Sequence, residues 1–180
     1  MNYCKDFLTD EEYLTHMIPH HQVAIDMSYE LMKHTTDPTL LSFARDIIWN
    51  QNAEILHMKQ ILNSKIPQME LGDNQVRNKI ETKNYAIELY YNEKHYKRNV
   101  DCHRKFFEHI HSKTPMTEDA YLEHMIDHHQ IAVDMSVRLL IHTNNALLQS
   151  LCQNIIIQQK NEIFRMLKLK DRLRLCSELL

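Results

Sequence analysis

The strongest constraint on the fold is a segment that occurs twice in the chain. Residues 13–28 read YLTHMIPHHQVAIDMS, and residues 121–136 read YLEHMIDHHQIAVDMS. The offset is 108 residues, and 15 of 24 positions are identical between 13–36 and 121–144. Each copy keeps three histidines and two methionines, which are side chains that bind soft or borderline metal ions. The repeat therefore predicts two similar sets of ligand-type residues, which need not form equivalent sites, since Asp127 takes the place of Pro19 in the second copy.

The repeated unit is larger than this segment and predicts a helical hairpin. A capping box at Thr9 and Glu12 predicts a first helix from about Asp10 to His34, and Asp37-Pro38 ends it. A second helix fits Thr39 to about Asn63, because its apolar residues recur at helical spacing. Eight of its residues reappear 108 positions later: Leu40, Ser42, Ile47, Ile48, Gln51, Glu54, Ile55 and Met58 recur as Leu148, Ser150, Ile155, Ile156, Gln159, Glu162, Ile163 and Met166.

The second copy predicts the same pair of helices. Thr117 precedes a helix that runs to about His142, Asn144-Asn145 forms a turn, and a last helix runs from about Ala146 toward Leu179. Two matching hairpins most simply form a four-helix bundle, because each hairpin alone is too small to bury its apolar face well. One glycine and four prolines in the chain argue against an all-β fold, which needs many tight turns.

The predicted organisation is a single all-α domain over 1–180. It contains a first hairpin at 10–63 and a second at 117–179, which together form a four-helix bundle. The polar, tyrosine-rich residues 74–112 have no counterpart in the repeat and predict an extra helical segment between the hairpins.

Charge and cysteine content exclude several classes of function. The net charge is −3 with histidine neutral, so neither nucleic acid nor an acidic membrane is an expected partner. No apolar run approaches the roughly 18–20 residues of a membrane helix. The N-terminal sequence has no apolar stretch of signal-peptide length, so we expect a cytoplasmic location. The four cysteines have no CxxC spacing, which a zinc knuckle would need, and they are expected to be reduced.

A helical wheel indicates which side chains of the first helix could bind a metal. With His16 at 0° and about 100° per residue, His20 falls near 40° and Met27 near 20°, with Met17 and His21 on the shoulder of this face. Two histidines four residues apart can reach one ion from adjacent turns. The second copy repeats the layout with His124, Met125, His128, His129 and Met135.

The second helix of each hairpin adds a carboxylate and a thioether. Glu54 and Met58 lie within its apolar face, as do Glu162 and Met166 in the second copy. A buried carboxylate is costly without a partner, so we expect a cation or a protonated histidine from across the bundle. Each hairpin would then bring His, Met and Glu side chains to one interior region.

These motifs resemble a bacterial family known as domain of unknown function 305. The resemblance implies a ferritin-like four-helix bundle of two hairpins and relates the chain to bacterial copper-binding proteins implicated in copper resistance. It covers roughly 10–63 and 117–170. The residues that carry it are His16, Met17, His20, His21, Ala24, Met27, Gln51, Glu54 and Met58, with their second-copy equivalents.

Three hypotheses for the function follow. The favoured one is a non-catalytic metal-binding protein for sequestration or handling, with copper preferred by mixed imidazole and thioether ligands and zinc as an alternative. The second is a di-iron oxidase, which needs paired Glu-x2-His motifs; Glu54 and His57 match, but the repeat has Glu162 and Arg165. The third is a helical interaction or structural module in which His and Glu satisfy each other. A homo-oligomer is compatible with all three.

Overall fold

Four helices make up the described parts of the chain, which are residues 9–64 and 116–177 of a computed structural model. The helices are α1 at Asp10–His34, α2 at Pro38–Asn63, α3 at Glu118–His142 and α4 at Ala146–Ser177. The described residues contain no strand, so the predicted all-α bundle is confirmed. The segment predicted as helical at 74–112 lies outside the described residues.

The helix boundaries follow from local capping. At the start of α1 the Thr9 hydroxyl accepts a bond from the Glu12 backbone at 3.2 Å, and the Glu12 carboxylate accepts one from the Thr9 backbone at 2.9 Å. At the start of α2 the Asp37 carboxylate accepts a bond from the Thr39 backbone at 2.8 Å. Pro38 occupies the first helical position, where its missing N–H costs nothing. Thus α2 begins one residue earlier than predicted.

Within each hairpin the two helices are antiparallel. The two hairpins contact each other where α1 packs on α3 and α2 packs on α4. The core consists of two apolar clusters at opposite ends of the bundle. The first apolar cluster includes Tyr13, Leu14, Met17, Ile25, Ile55, Met58, Ile61, Ile131, Met135, Leu139, Leu148, Leu151, Cys152 and Ile155. The second apolar cluster includes Val23, Met27, Leu31, Leu40, Phe43, Ile47, Met116, Tyr121, Leu122, Met125, Met166 and Leu169. None of the described helices is long and apolar enough to cross a membrane.

A buried tyrosine–serine bond joins the hairpins at each end. The Tyr13 hydroxyl lies 2.7 Å from Ser136 Oγ, and the Tyr121 hydroxyl lies 2.8 Å from Ser28 Oγ. Each serine donates its one proton to the carbonyl four residues earlier in its own helix, at 2.8 Å for Ser28 and 2.7 Å for Ser136. The tyrosine is therefore the donor in both bonds. These two symmetric bonds fix the position of α1 along α3.

We predict that these tyrosines make the fold sensitive to alkali. Burial raises the pKa of Tyr13 well above its ordinary value and also raises that of Tyr121. A raised folded-state pKa gives stability that is complete below the unfolded value of about 10 and is lost as the pH rises beyond it. The Tyr13→Phe/Tyr121→Phe variant should therefore lose less stability than the wild type between pH 8 and pH 11 in urea unfolding. At neutral pH it should be less stable by about 1 kcal/mol per lost bond.

The control for this prediction is Tyr29→Phe, because Tyr29 is exposed. It should follow the wild-type pH dependence. Identical alkaline slopes for the double variant and the wild type would contradict the assignment.

Candidate metal centre

A buried polar layer separates the two apolar clusters midway along the bundle. Each of its residues is at most 8% exposed. The layer consists of His20, His21, Gln51 and Glu54 from the first hairpin and His128, His129, Gln159 and Glu162 from the second. The interior placement predicted for both glutamates is thereby seen in the structure.

The centre of the polar layer is a stacked pair of imidazoles, one from each hairpin. The rings of His20 and His128 lie 3.7 Å apart between centroids at an interplanar angle of 25°. His21 and His129 flank the stack, with centroid distances of 6.2 Å and 6.0 Å to their chain neighbours. Two positive charges at this separation would repel by about 4 kcal/mol at an effective dielectric constant of 20. The stack therefore favours at most one positively charged ring, and a neutral imidazole has one ring nitrogen of the type that coordinates metal ions.

The two buried glutamates each pair with a histidine of their own hairpin. Glu54 Oε2 lies 2.8 Å from His21 Nε2, and Glu162 Oε2 lies 2.8 Å from His129 Nε2. The histidine partner expected from across the bundle therefore comes from the same hairpin. The adjacent helices of one hairpin already bring these side chains together, since α1 packs most closely on α2.

The glutamate pairs use only one of the two ring nitrogens of each of these histidines. A carboxylate only accepts hydrogen bonds, so His21 Nε2 and His129 Nε2 are the donors. In a neutral imidazole Nδ1 then has no proton, and neither Nδ1 atom has a hydrogen-bond partner among the described residues. The amide nitrogens of Gln159 and Gln51 lie 3.5 Å from the same Nε2 atoms. Two donors at that distance are in contact and do not form a hydrogen bond.

The methionines lie above and below the polar layer in a pattern that mixes the hairpins. Met17 and Met58 of the first hairpin share the first apolar cluster with Met135 of the second. Met125 and Met166 share the second apolar cluster with Met27. Met17 and Met27 are ten positions apart, which is about 15 Å along a helix. The ligand-type residues of one hairpin are therefore divided between two interior regions, and the expectation that they meet in one region is wrong.

Histidines and carboxylates alone do not complete a site in the described residues. Within 9–64 and 116–177, no three His, Cys, Asp or Glu side chains lie close enough together to bind one ion. An ion bound in this interior therefore needs thioether ligands from the apolar clusters, or a change of side-chain rotamer in the layer. The combination of imidazole and thioether suits a soft ion.

The helical wheel correctly predicted that α1 contributes histidines to the interior. It was wrong about which side of α1 is buried. His21 is completely buried, whereas His16 and His124 are only half-buried. Tyr13, Leu14 and Ile25 are buried too, and their wheel positions move the inward face toward His21. His16 and its counterpart stand at the edge of the face, and His21 lies well inside it.

The structure also places two residue pairs that the metal-ligand argument did not use. Tyr13 and Ser28 have identical counterparts in Tyr121 and Ser136, and all four are buried. A polar side chain that persists in both copies of a divergent repeat was the signal available in the sequence. Such a side chain can form a bond between the two copies, and it can equally be a metal ligand.

The comparisons with known proteins agree with this architecture. A family model described as a domain of unknown function (DUF305) matches residues 10–170. The chain belongs to the DUF305 family. A solved DUF305 fragment from Deinococcus radiodurans has a TM-score of 0.59 and 22% identity, over 91% of this chain and 95% of that one. At that identity it supports the fold alone.

Structures of the protein CopM resemble the chain over almost the same length. Its Cu(I)-bound form has a TM-score of 0.62 and 26% identity, over 92% of this chain and 98% of CopM. Its Cu(II)-bound form has a TM-score of 0.61 and 26% identity, over 93% and 99%. An uncharacterized protein of Acanthamoeba polyphaga mimivirus is 44% identical over 59 residues, which span 33% of this chain and 39% of the viral protein.

We predict a strong energetic coupling between His21 and Glu54. His21→Leu leaves a buried carboxylate without its partner and should lower the free energy of unfolding by about 3–5 kcal/mol. The His21→Leu/Glu54→Leu variant should recover most of this loss, because no buried charge remains. Urea unfolding of the two single variants and the double variant measures the coupling.

The control is the pair of His34 and Glu30, which is 3.0 Å apart and partly exposed. Its coupling should be about 0.5 kcal/mol or less. Equal coupling in the two pairs would contradict the importance of burial at the polar layer.

Proposed function

We propose that this protein binds copper ions in its interior and acts in copper sequestration or handling, without catalysing a reaction. The observation that carries the proposal is the pair of buried Nδ1 atoms on His21 and His129. Neither atom has a hydrogen-bond partner among the described residues. His21 follows the buried Met17 by one helical turn, and His129 follows the buried Met125 in the same way.

The donor set fits copper better than the other metals considered. Imidazole nitrogen suits Cu(II) and Cu(I), and thioether sulfur selects Cu(I). The candidate ligands are the four histidines of the polar layer and the methionines of the two apolar clusters. Met17, Met58 and Met135 lie on one side of the layer, and Met27, Met125 and Met166 lie on the other. The likeness to CopM, which was solved with Cu(I), Cu(II) and silver, supports a soft ion in this fold.

The di-iron oxidase hypothesis has little support from the described interior. Such sites use four carboxylates and two histidines in Glu-x2-His motifs. The polar layer offers two carboxylates, Glu54 and Glu162, and each is already bonded to a histidine. Zinc and iron therefore remain alternatives without an observation in their favour.

We predict that the stacked histidines are required for copper retention. The His20→Ala/His128→Ala variant should lose most of its bound copper, because it removes two imidazoles from the centre of the layer. Helix content should remain near the wild-type value. Elemental analysis after copper loading and gel filtration measures the stoichiometry, and circular dichroism measures the helix content.

His34→Ala is the control, since His34 is exposed at the end of α1. It should retain the wild-type stoichiometry. If the double variant also retained it, the ligand assignment would be wrong.

We also predict that copper stabilises the folded protein. A ligand that binds only the folded state at 100 times its dissociation constant adds about 2.7 kcal/mol to the free energy of unfolding. Thermal unfolding with and without copper should show a concentration-dependent rise in midpoint. A helical module without a metal function would show no rise with copper, zinc or iron.

A further inference from the structure

The contact between α2 and α4 differs between the two halves of the bundle. In the half that contains Glu162, Arg165 donates to Asp46 at 2.8 Å, and Asn50 donates to Glu162 Oε1 at 3.0 Å. Both bonds join α4 to α2. The guanidinium of Arg165 also lies 4.8 Å from the centre of the Phe43 ring. Side chains therefore bridge the two helices over the second buried carboxylate.

The other half has different residues at every one of these bridging positions. By the 108-residue repeat, His57 replaces Arg165 and Asn154 replaces Asp46. Gln158 replaces Asn50. These three residues line a groove between α2 and α4 that is open to solvent, together with Trp49, Ile157 and Glu54. This half therefore has no charged pair at the positions that Arg165 and Asp46 occupy in the other half.

One residue that lines this groove, Glu54, has a buried carboxylate oxygen. Glu54 is only 8% exposed, and its Oε2 is bonded to His21. Its Oε1 is buried and has no hydrogen-bond partner among the described residues, whereas the equivalent oxygen of Glu162 accepts the bond from Asn50. A buried acceptor without a donor is costly and attracts a cation.

We propose that this groove, lined by Glu54, His57, Asn154 and Gln158, is the entrance through which copper reaches the polar layer. The proposal rests on the copper binding proposed above. Glu54 attracts the cation, and the His57 imidazole is the first ligand at the mouth. Glu54 is bonded to His21, and Met58 lies one turn further along α2 in the first apolar cluster, so an ion that passes the carboxylate meets a nitrogen and a sulfur donor. In the half that contains Glu162, the bonds of Arg165 and Asn50 join α2 and α4 at the equivalent place.

The test is a substitution that places at position 57 the residue found at the equivalent position 165. His57→Arg places a fixed positive charge at the mouth and should slow copper uptake by about tenfold at low ionic strength. The amount bound at equilibrium should stay the same, since the interior ligands are intact. Ser42→Arg adds the same charge at an exposed site near the other end of α2 and should load at the wild-type rate.

Trp49 gives a direct signal for this experiment. It is the chain's one tryptophan, is 78% exposed and lines the groove. Copper(II) chloride should quench its fluorescence in a fast phase in stopped-flow mixing. This phase should slow in His57→Arg and remain in Ser42→Arg. Elemental analysis after gel filtration gives the equilibrium stoichiometry of each variant.

The reciprocal variant tests the same idea from the other half. Asp46→Asn/Arg165→His removes the charged pair that joins α2 and α4 near Glu162 and should raise the uptake rate by up to about twofold, because a second entrance adds to the rate of productive encounter. Equal uptake rates for His57→Arg and Ser42→Arg would overturn the entrance while leaving copper binding intact. A wild-type protein that binds no copper would instead overturn the proposed function.

Discussion

A carboxylate buried in the middle of an apolar core must have a partner, and this requirement organises the bundle. Glu54 and Glu162 would each cost several kcal/mol if they were left charged and alone. Each meets a histidine of its own hairpin at 2.8 Å, so each hairpin supplies the partner of its own carboxylate. The other two imidazoles, His20 and His128, stack face to face where the hairpins meet. Together these contacts make up the polar layer.

The helices and their ends could be predicted because their signals are local. A capping box, an Asp-Pro step and apolar spacing depend only on nearby residues, and the observed bounds of α1 and α3 match the prediction closely. The interior glutamates could also be predicted, because they stand among isoleucines. Their partner could not, since the wheel was centred on His16. Only the packed helices show that Tyr13 and Leu14 set the inward direction.

The grouping of the methionines depends on information that no single helix contains. Met27 joins Met125 and Met166 because α1 runs antiparallel to α3, which brings the end of one copy beside the start of the other. The sequence repeat alone is equally compatible with other arrangements of two hairpins. The tyrosine–serine bonds select the observed one, since each bond needs a residue from near the start of one copy and one from near its end.

The symmetric contacts have a consequence for the origin of the chain. The bonds of Tyr13 with Ser136 and of Tyr121 with Ser28 are the same bond made twice, so two identical hairpins on a twofold axis could form both. Such a homodimer would have to carry the same residue at both positions of every pair. Two hairpins in one chain are free of that restriction. A single chain can have Arg165 with Asp46 in one half and His57 and Asn154 at the equivalent positions of the other, so two similar halves can differ in their charges.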